Sequence, residues 1–144
     1  RNIQGAGAAG GIGFAIASFL NAKLVPGIEV ILRAADFERK AAGASLIVTG
    51  EGRLDYQSAM GKTISGIAKS AGKVKTPVMA IGGTLAKGYE KLLKSGVRMA
   101  EPITEEKIPL AESIKRGREL LRKKGSQTAL RIKKYGLRAF LAGA

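Results

Sequence analysis

Two short apolar runs, residues 45–49 (SLIVT) and 77–81 (PVMAI), each stop at a glycine, and each is followed by a stretch with helical spacing. Continuous apolar runs of this length are the form expected of parallel strands covered on both faces. The first leads through a charged loop into a predicted helix over residues 63–71. The second leads through Gly82-Gly83 into a predicted helix over residues 85–94, which Gly96 stops. A weaker run at residues 97–100 supplies a third strand. This alternation is the order of a right-handed, parallel α/β sheet with flanking helices. Such sheets bind ligands outside the carboxyl ends of their strands. Residues 50–55 and 82–84 lie at those ends.

Ahead of the first strand, residues 10–22 read as a helix opened by glycines. Residues 26–42 read as a second helix, with Pro26 in its first turn and Gly43 just past its end. Ile28, Ile31, Leu32 and Ala35 form its apolar stripe. After the sheet, residues 109–135 read as one long or broken helix. Its stripe is Leu110, Ile114, Gly117, Leu121, Gly125, Thr128, Ile132 and Tyr135. A chain of 144 residues suits one domain with its own core. Residues 1–135 are assigned to it, and residues 136–144 form a tail without assignment. The chain opens on Arg1 rather than Met, a few residues from a glycine-rich motif, so a fragment of a longer protein is expected.

The sequence has no Cys and no His. That excludes disulfides, thiolate metal sites and the usual general base of neutral pH. Acid–base chemistry must rest on carboxylates, Lys or Tyr, and any metal must be a hard cation such as Mg²⁺. No apolar run approaches the roughly 20 residues that cross a bilayer, and no signal-peptide pattern is present. A cytoplasmic protein with no membrane partner is expected. The formal net charge is +14. Most of the excess lies in residues 115–138, where Glu119 is the sole carboxylate. Such a run suits nucleic acid, yet no aromatic platform interleaves it and no nucleic-acid motif appears. A solvated helix face explains it more simply.

Three motifs carry chemistry. Gly5-Ala6-Gly7-Ala8-Ala9-Gly10 fits G-x-G-x-x-G, with a helix after it and Glu29 or Asp36 near the spacing of a ribose-binding acid. Only four residues precede it, so a dinucleotide fold competes with tight glycine packing or an anion loop that includes Gly11. Gly61-Lys62-Thr63 resembles the end of a phosphate-binding loop, but Tyr56 stands where its first glycine would be. Lys62 still reads either as a plain helix start or as an ammonium placed for phosphate. Finally Glu51, Arg53 and Asp55 alternate between glycines in TGEGRLD. They form either a solvated loop with a local ion pair or a site. In a site, Arg53 would grip a carboxylate or phosphate and the carboxylates would hold Mg²⁺ or orient a hydroxyl.

Taken in order, GAGAAGGIGFAIASFLNAKLVPGIEVIL, SLIVTGEGRLDYQSAMGKTISGIAKSA and TPVMAIGGT resemble the C-terminal part of bacterial type I glycerate kinases. The tail ITEEKIPLAESIKRGRELL is similar to that family's closing segment. The resemblance implies an ATP- and Mg²⁺-dependent transfer of phosphate to D-glycerate, giving a phosphoglycerate. It also implies a two-domain enzyme with a cleft beside a Rossmann-like sheet, so that an N-terminal half would be a partner of this chain. On that view Arg53, Asp55 and Lys62 are catalytic, and Glu51 and Asp55 hold Mg²⁺. Gly5, Gly7, Gly10, Gly11, Gly50, Glu51, Gly52, Gln57, Gly82 and Gly83 would contact substrate or phosphate. The chain departs from the family where D-G-Q-T is expected and Asp55-Tyr56-Gln57-Ser58 stands. A homo-oligomer is compatible with this reading. The rival readings are a basic α/β module that binds nucleic acid through its C-terminal helix, and a dehydrogenase-type domain.

Overall fold

The computed structural model describes residues 5–60, 63–105 and 107–143. A short 3₁₀ turn, Ala8–Gly11, leads into α1 (Ile12–Phe19). Then come α2 (Gly27–Ala34), α3 (Phe37–Ala41), β1 (Ile47–Leu54), α4 (Thr63–Lys73) and β2 (Val78–Leu85). α5 (Glu90–Lys94), β3 (Val97–Pro102), α6 (Leu110–Lys115), α7 (Gly117–Tyr135) and α8 (Leu137–Leu141) complete the order. The three strands form one parallel sheet in the order β1-β2-β3. This is the α/β class expected from the apolar runs.

β2 is the central strand, which explains its uninterrupted apolar sequence. Val78 and Ala80 face one side and pack with Ile64, Ala68 and Ala71 of α4 and Leu92 of α5. Met79 and Ile81 face the other side and pack against Phe140 of α8, with Leu46, Met99 and Ile132 around them. Each large side chain buried in these two layers contributes about 1.5–3 kcal/mol. Buried Thr76, just ahead of β2, donates its hydroxyl to the Ala41 carbonyl at 2.7 Å and ties α3 to the sheet.

Four differences from the sequence-based expectation have physical causes. The helix expected over residues 26–42 is two helices, because Asp36 takes a left-handed backbone with φ 50°. Asp tolerates that region better than most residues; here its N–H also bonds the Arg33 carbonyl and its carboxylate pairs with Arg39. Both leading strands run on beyond their apolar residues: β1 through the charged stretch to Leu54, and β2 through Gly82 and Gly83 to Leu85. The helix after β2 therefore starts only at Glu90. Inter-strand pairing carries residues of low strand propensity along with it.

The long C-terminal helix breaks at Arg116, whose guanidinium bridges Glu112 and Glu119 at 3.2 and 3.1 Å. The hydrogen bond and charge of Arg116 hold the Glu119 carboxyl below its usual range. In α7 the buried residues are Leu120, Lys124 and Thr128, whereas Leu121 and Tyr135 are exposed. The predicted stripe therefore holds at Thr128 and Ile132 but misses by one position at Leu121 and Gly125, where Leu120 and Lys124 face inward. Lys124 and Arg131 turn inward to Glu101 of β3, at 3.5 and 2.6 Å, and Arg131 also lies over the Phe140 ring. The tail is part of the core: the Phe140 side chain is fully buried.

Candidate functional site at the end of the first strand

The site is built where β1 ends. Gly50, Glu51, Gly52 and Arg53 lie within the strand rather than in a loop, and the chain turns only at Asp55. Gly83 lets β2 approach the Gly52 backbone of β1 closely. A Cβ built on Gly83 would overlap the Gly52 carbonyl oxygen and lie 3.2 Å from its carbonyl carbon. One built on Gly50 would lie 2.7 Å from the Ile81 carbonyl oxygen, and one on Gly82 would lie 2.7 Å from Leu54 Cγ. These glycines thus have a packing reason whatever else they contact.

The turn itself is set by side chains. The Gln57 N–H donates to Asp55 Oδ1 at 2.8 Å, the local bond by which Asp initiates turns. Arg53 Nε lies 3.2 Å from Asp55 Oδ2, so the carboxylate is held on both oxygens. The Arg53 side chain is 67% exposed, with its outer face toward solvent.

Ser58 was no part of the site read from the sequence, and the structure puts it at the centre. It is 3% exposed. Its hydroxyl donates to Glu51 Oε2 at 3.0 Å, a better acceptor than the Arg53 carbonyl at 3.4 Å, and it accepts the Asp55 N–H at 3.4 Å. One hydroxyl thereby links the strand carboxylate to the turn. The signal was present in Asp55-x-x-Ser58, a spacing at which Asp and Ser bond to each other's backbone in turns. Ser58→Ala leaves Glu51 and the Asp55 N–H each short of a partner, and is expected to cost about 1–3 kcal/mol. Ser58→Thr should retain most of that. Urea unfolding checks it, and equal midpoints for Ser58→Ala and wild type would remove the strut.

The loop after β2 closes the site from the side. Gly88, at φ 87°, sits so near Tyr56 that an added Cβ would lie 2.8 Å from the Tyr56 Cβ. Tyr56 therefore fills the space beside Gly88, and its hydroxyl receives the Gln57 side-chain amide at 3.1 Å. Lys62 and Gly61 lie outside the described residues, directly before α4.

The glycine-rich turn is placed differently. Gly5, Gly10 and Gly11 have positive φ. The Phe14 N–H in the first turn of α1 is already used by the Ala6 carbonyl at 3.0 Å. Gly13 packs against the Gly5 and Ala6 carbonyls and Leu24. The turn, with Gly7 inside it, folds onto its own helix rather than joining the Arg53–Asp55 pair. The strand that a dinucleotide fold needs before it would fall on residues 1–4, outside the described residues.

Mg²⁺ typically takes one or two protein carboxylates and completes its shell with phosphate and water. Glu51 and Asp55 fit that donor chemistry: both are oxygen ligands, and each carboxylate oxygen carries more than one lone pair. Among the described residues no group of three or more acidic, His or Cys side chains could hold a metal without such help. No helix among them is long and apolar enough to cross a membrane.

A parallel α/β sheet with a charged cluster at its strand ends belongs to the class whose ligands sit on the sheet edge. A sequence model described as the glycerate kinase family matches residues 1–133, and the chain belongs to that family. It is 42% identical over 120 residues to a glycerate kinase of Halalkalibacterium halodurans, covering 83% of this chain and 32% of the relative. With a glycerate kinase of Bacillus subtilis the identity is 35% over 133 residues, covering 92% and 35%. A solved chain assigned as glycerate kinase 2 from Salmonella typhimurium LT2 superposes with a TM-score of 0.66. It is 32% identical, and the match covers 90% of this chain and 33% of that one. The chain thus spans about a third of the length of these relatives.

Proposed function

We propose that this chain is the C-terminal portion of a type I glycerate kinase and carries part of the site that phosphorylates D-glycerate with ATP. The observation that carries the reading is the Arg53–Asp55–Gln57 turn, joined to Glu51 through Ser58, at the carboxyl end of β1. Phosphoryl transfer asks a protein for positioning and charge neutralisation more than for covalent chemistry. That suits a sequence with neither His nor Cys.

Arg53 receives the glycerate carboxylate or a phosphate on its exposed guanidinium face, while Asp55 keeps that guanidinium oriented. Asp55 accepts the proton of the attacking glycerate hydroxyl. The bond from the γ-phosphorus to the bridging oxygen of ATP breaks as the new bond to the hydroxyl oxygen forms, leaving ADP and a phosphoglycerate. Lys62 neutralises charge on the transferred group. Gly50, Gly52, Gly82 and Gly83 keep the strand ends free of side chains around it. Glu51 and Asp55 would hold Mg²⁺, which when bound would supply charge neutralisation to the phosphates. The working protein includes an N-terminal half and acts in the cytoplasm.

The nucleic-acid reading gains nothing from the structure. Lys124 and Arg131, two cations of the basic run, point to Glu101 rather than to solvent.

The test is glycerate-dependent ATP consumption by the full-length protein. Arg53→Ala is expected to raise the KM for D-glycerate by about 10- to 100-fold, the loss of one charge-assisted contact of roughly 1.5–3 kcal/mol. An unchanged KM would take Arg53 out of substrate binding, and absence of glycerate-dependent turnover in the wild type would sink the kinase reading.

A further inference from the structure

Tyr56 stands at the strand ends, belongs to neither core layer, and is 47% exposed. Its neighbours nevertheless hold it at both ends. The Gln57 side-chain amide donates to its hydroxyl at 3.1 Å. At its base, Gly88 takes φ 87°, a left-handed conformation that glycine favours. A Cβ added to Gly88 would lie 2.8 Å from the Tyr56 Cβ and 3.4 Å from its Cα. Two residues earlier, the Ala86 N–H donates to the Leu54 carbonyl at 2.8 Å. The loop after β2 is thus fastened to the turn after β1 at two points, with Asp55 between them. An aromatic ring with a fixed base and a bonded tip is a wall, because packing and a hydrogen bond both lock its rotamer.

This wall adjoins the two groups that take the acceptor. Arg53 Nε and Asp55 Oδ2 are 3.2 Å apart. An acid whose carboxylate meets Arg53 while its hydroxyl meets Asp55 must therefore carry those groups close together along its chain. Any further carbon runs on past Asp55, and the protein backbone continues there directly into Tyr56.

We propose that Tyr56 sets the length of the acceptor acid. The carbons of D-glycerate fit between Arg53 and the ring, and an additional hydroxyl-bearing carbon meets the ring. The inference rests on the kinase reading of Arg53 and Asp55. Selection of this kind works by building a clash against the longer acid rather than a new attraction to the shorter one. Gly88 makes the clash effective, because the loop behind Tyr56 leaves the ring no room to retreat. A group of methylene size is discriminated by roughly 10- to 200-fold in a fitted pocket.

The test compares kcat/KM for D-glycerate with kcat/KM for D-erythronate in the full-length protein. D-Erythronate keeps the configuration at the carbon beside the carboxylate and adds one CHOH carbon. Tyr56→Ala should lower the glycerate-to-erythronate ratio by about tenfold or more, chiefly by admitting erythronate. Tyr56→Leu should fall between, and Tyr56→Phe, which keeps the ring, should stay within about threefold of wild type. Should Tyr56→Ala turn over neither acid, the ratio of the two dissociation constants by calorimetry decides in the same way. A ratio in Tyr56→Ala within about threefold of wild type, in rates or in binding, overturns the inference and leaves Tyr56 a packing residue of the turn. So does a Tyr56→Phe ratio as low as that of Tyr56→Ala, since the ring would then exclude nothing. A wild type that consumes ATP with neither acid is a different failure: it sinks the kinase reading, and this inference with it.

Discussion

Asp55→Asn in the full-length protein is expected to lower kcat by roughly 10²–10⁴, the range lost with a positioned general base. The KM for ATP should rise as well, because Asp55 is also one of the two proposed Mg²⁺ ligands. The substitution keeps the shape of the side chain. Its remaining carbonyl oxygen can still accept the Gln57 N–H that Asp55 Oδ1 accepts now at 2.8 Å. What disappears is the anion opposite Arg53 and, with it, the proposed acceptor for the hydroxyl proton. Stability is little affected, because a partly exposed ion pair contributes about 0–1 kcal/mol. A coupled assay over a range of pH separates the effects. Rates within threefold of wild type, with an unchanged pH profile, would show that Asp55 takes no proton.

Phe140→Ala is expected to destabilise the protein by about 3–5 kcal/mol, and to lower the thermal midpoint by roughly 10 °C. The ring is fully buried against Met79 and Ile81 and is also the surface over which Arg131 lies. Alanine would open a cavity on one entire side of the central strand. Phe140→Leu should cost less than about 1.5 kcal/mol if volume is what matters. Calorimetry distinguishes the two, and a wild-type midpoint for Phe140→Ala would mean that α8 is not docked in solution.

The sheet was legible because β2 is buried on both faces, so its apolar run has no polar interruption to confuse it. The ends of the strands were not legible, since GEGR has neither the apolar nor the β-branched character of a strand. It becomes one only through its pairing with β2. The same fact shifted the expected site: Glu51 and Arg53 are held by strand geometry, and only Asp55, Tyr56 and Gln57 belong to a turn. Ser58 escaped notice because a serine carries little chemical signal until burial shows that its hydroxyl must have partners. In α7, the predicted stripe placed Thr128 correctly on the buried face, but counting Leu121, Gly125 and Tyr135 with it missed Leu120 and Lys124. Lys124 lies on that face because Glu101 waits beneath it, and a pairing with another strand cannot be seen in helical periodicity. Phe140 is one aromatic in a short tail, too brief a segment for periodicity to speak.

The position of Phe140 along the chain also has a consequence for synthesis. Met79 and Ile81 meet their cover only after some sixty further residues have been made. One face of the sheet can close early on α4, its near neighbour in sequence, while the other stays open until α8 has left the ribosome. A long-range closure of this kind slows folding, and the apolar surface waiting for it is a point of misassembly. Aggregation during expression is therefore expected to depend on residues 137–141 far more than their small number suggests.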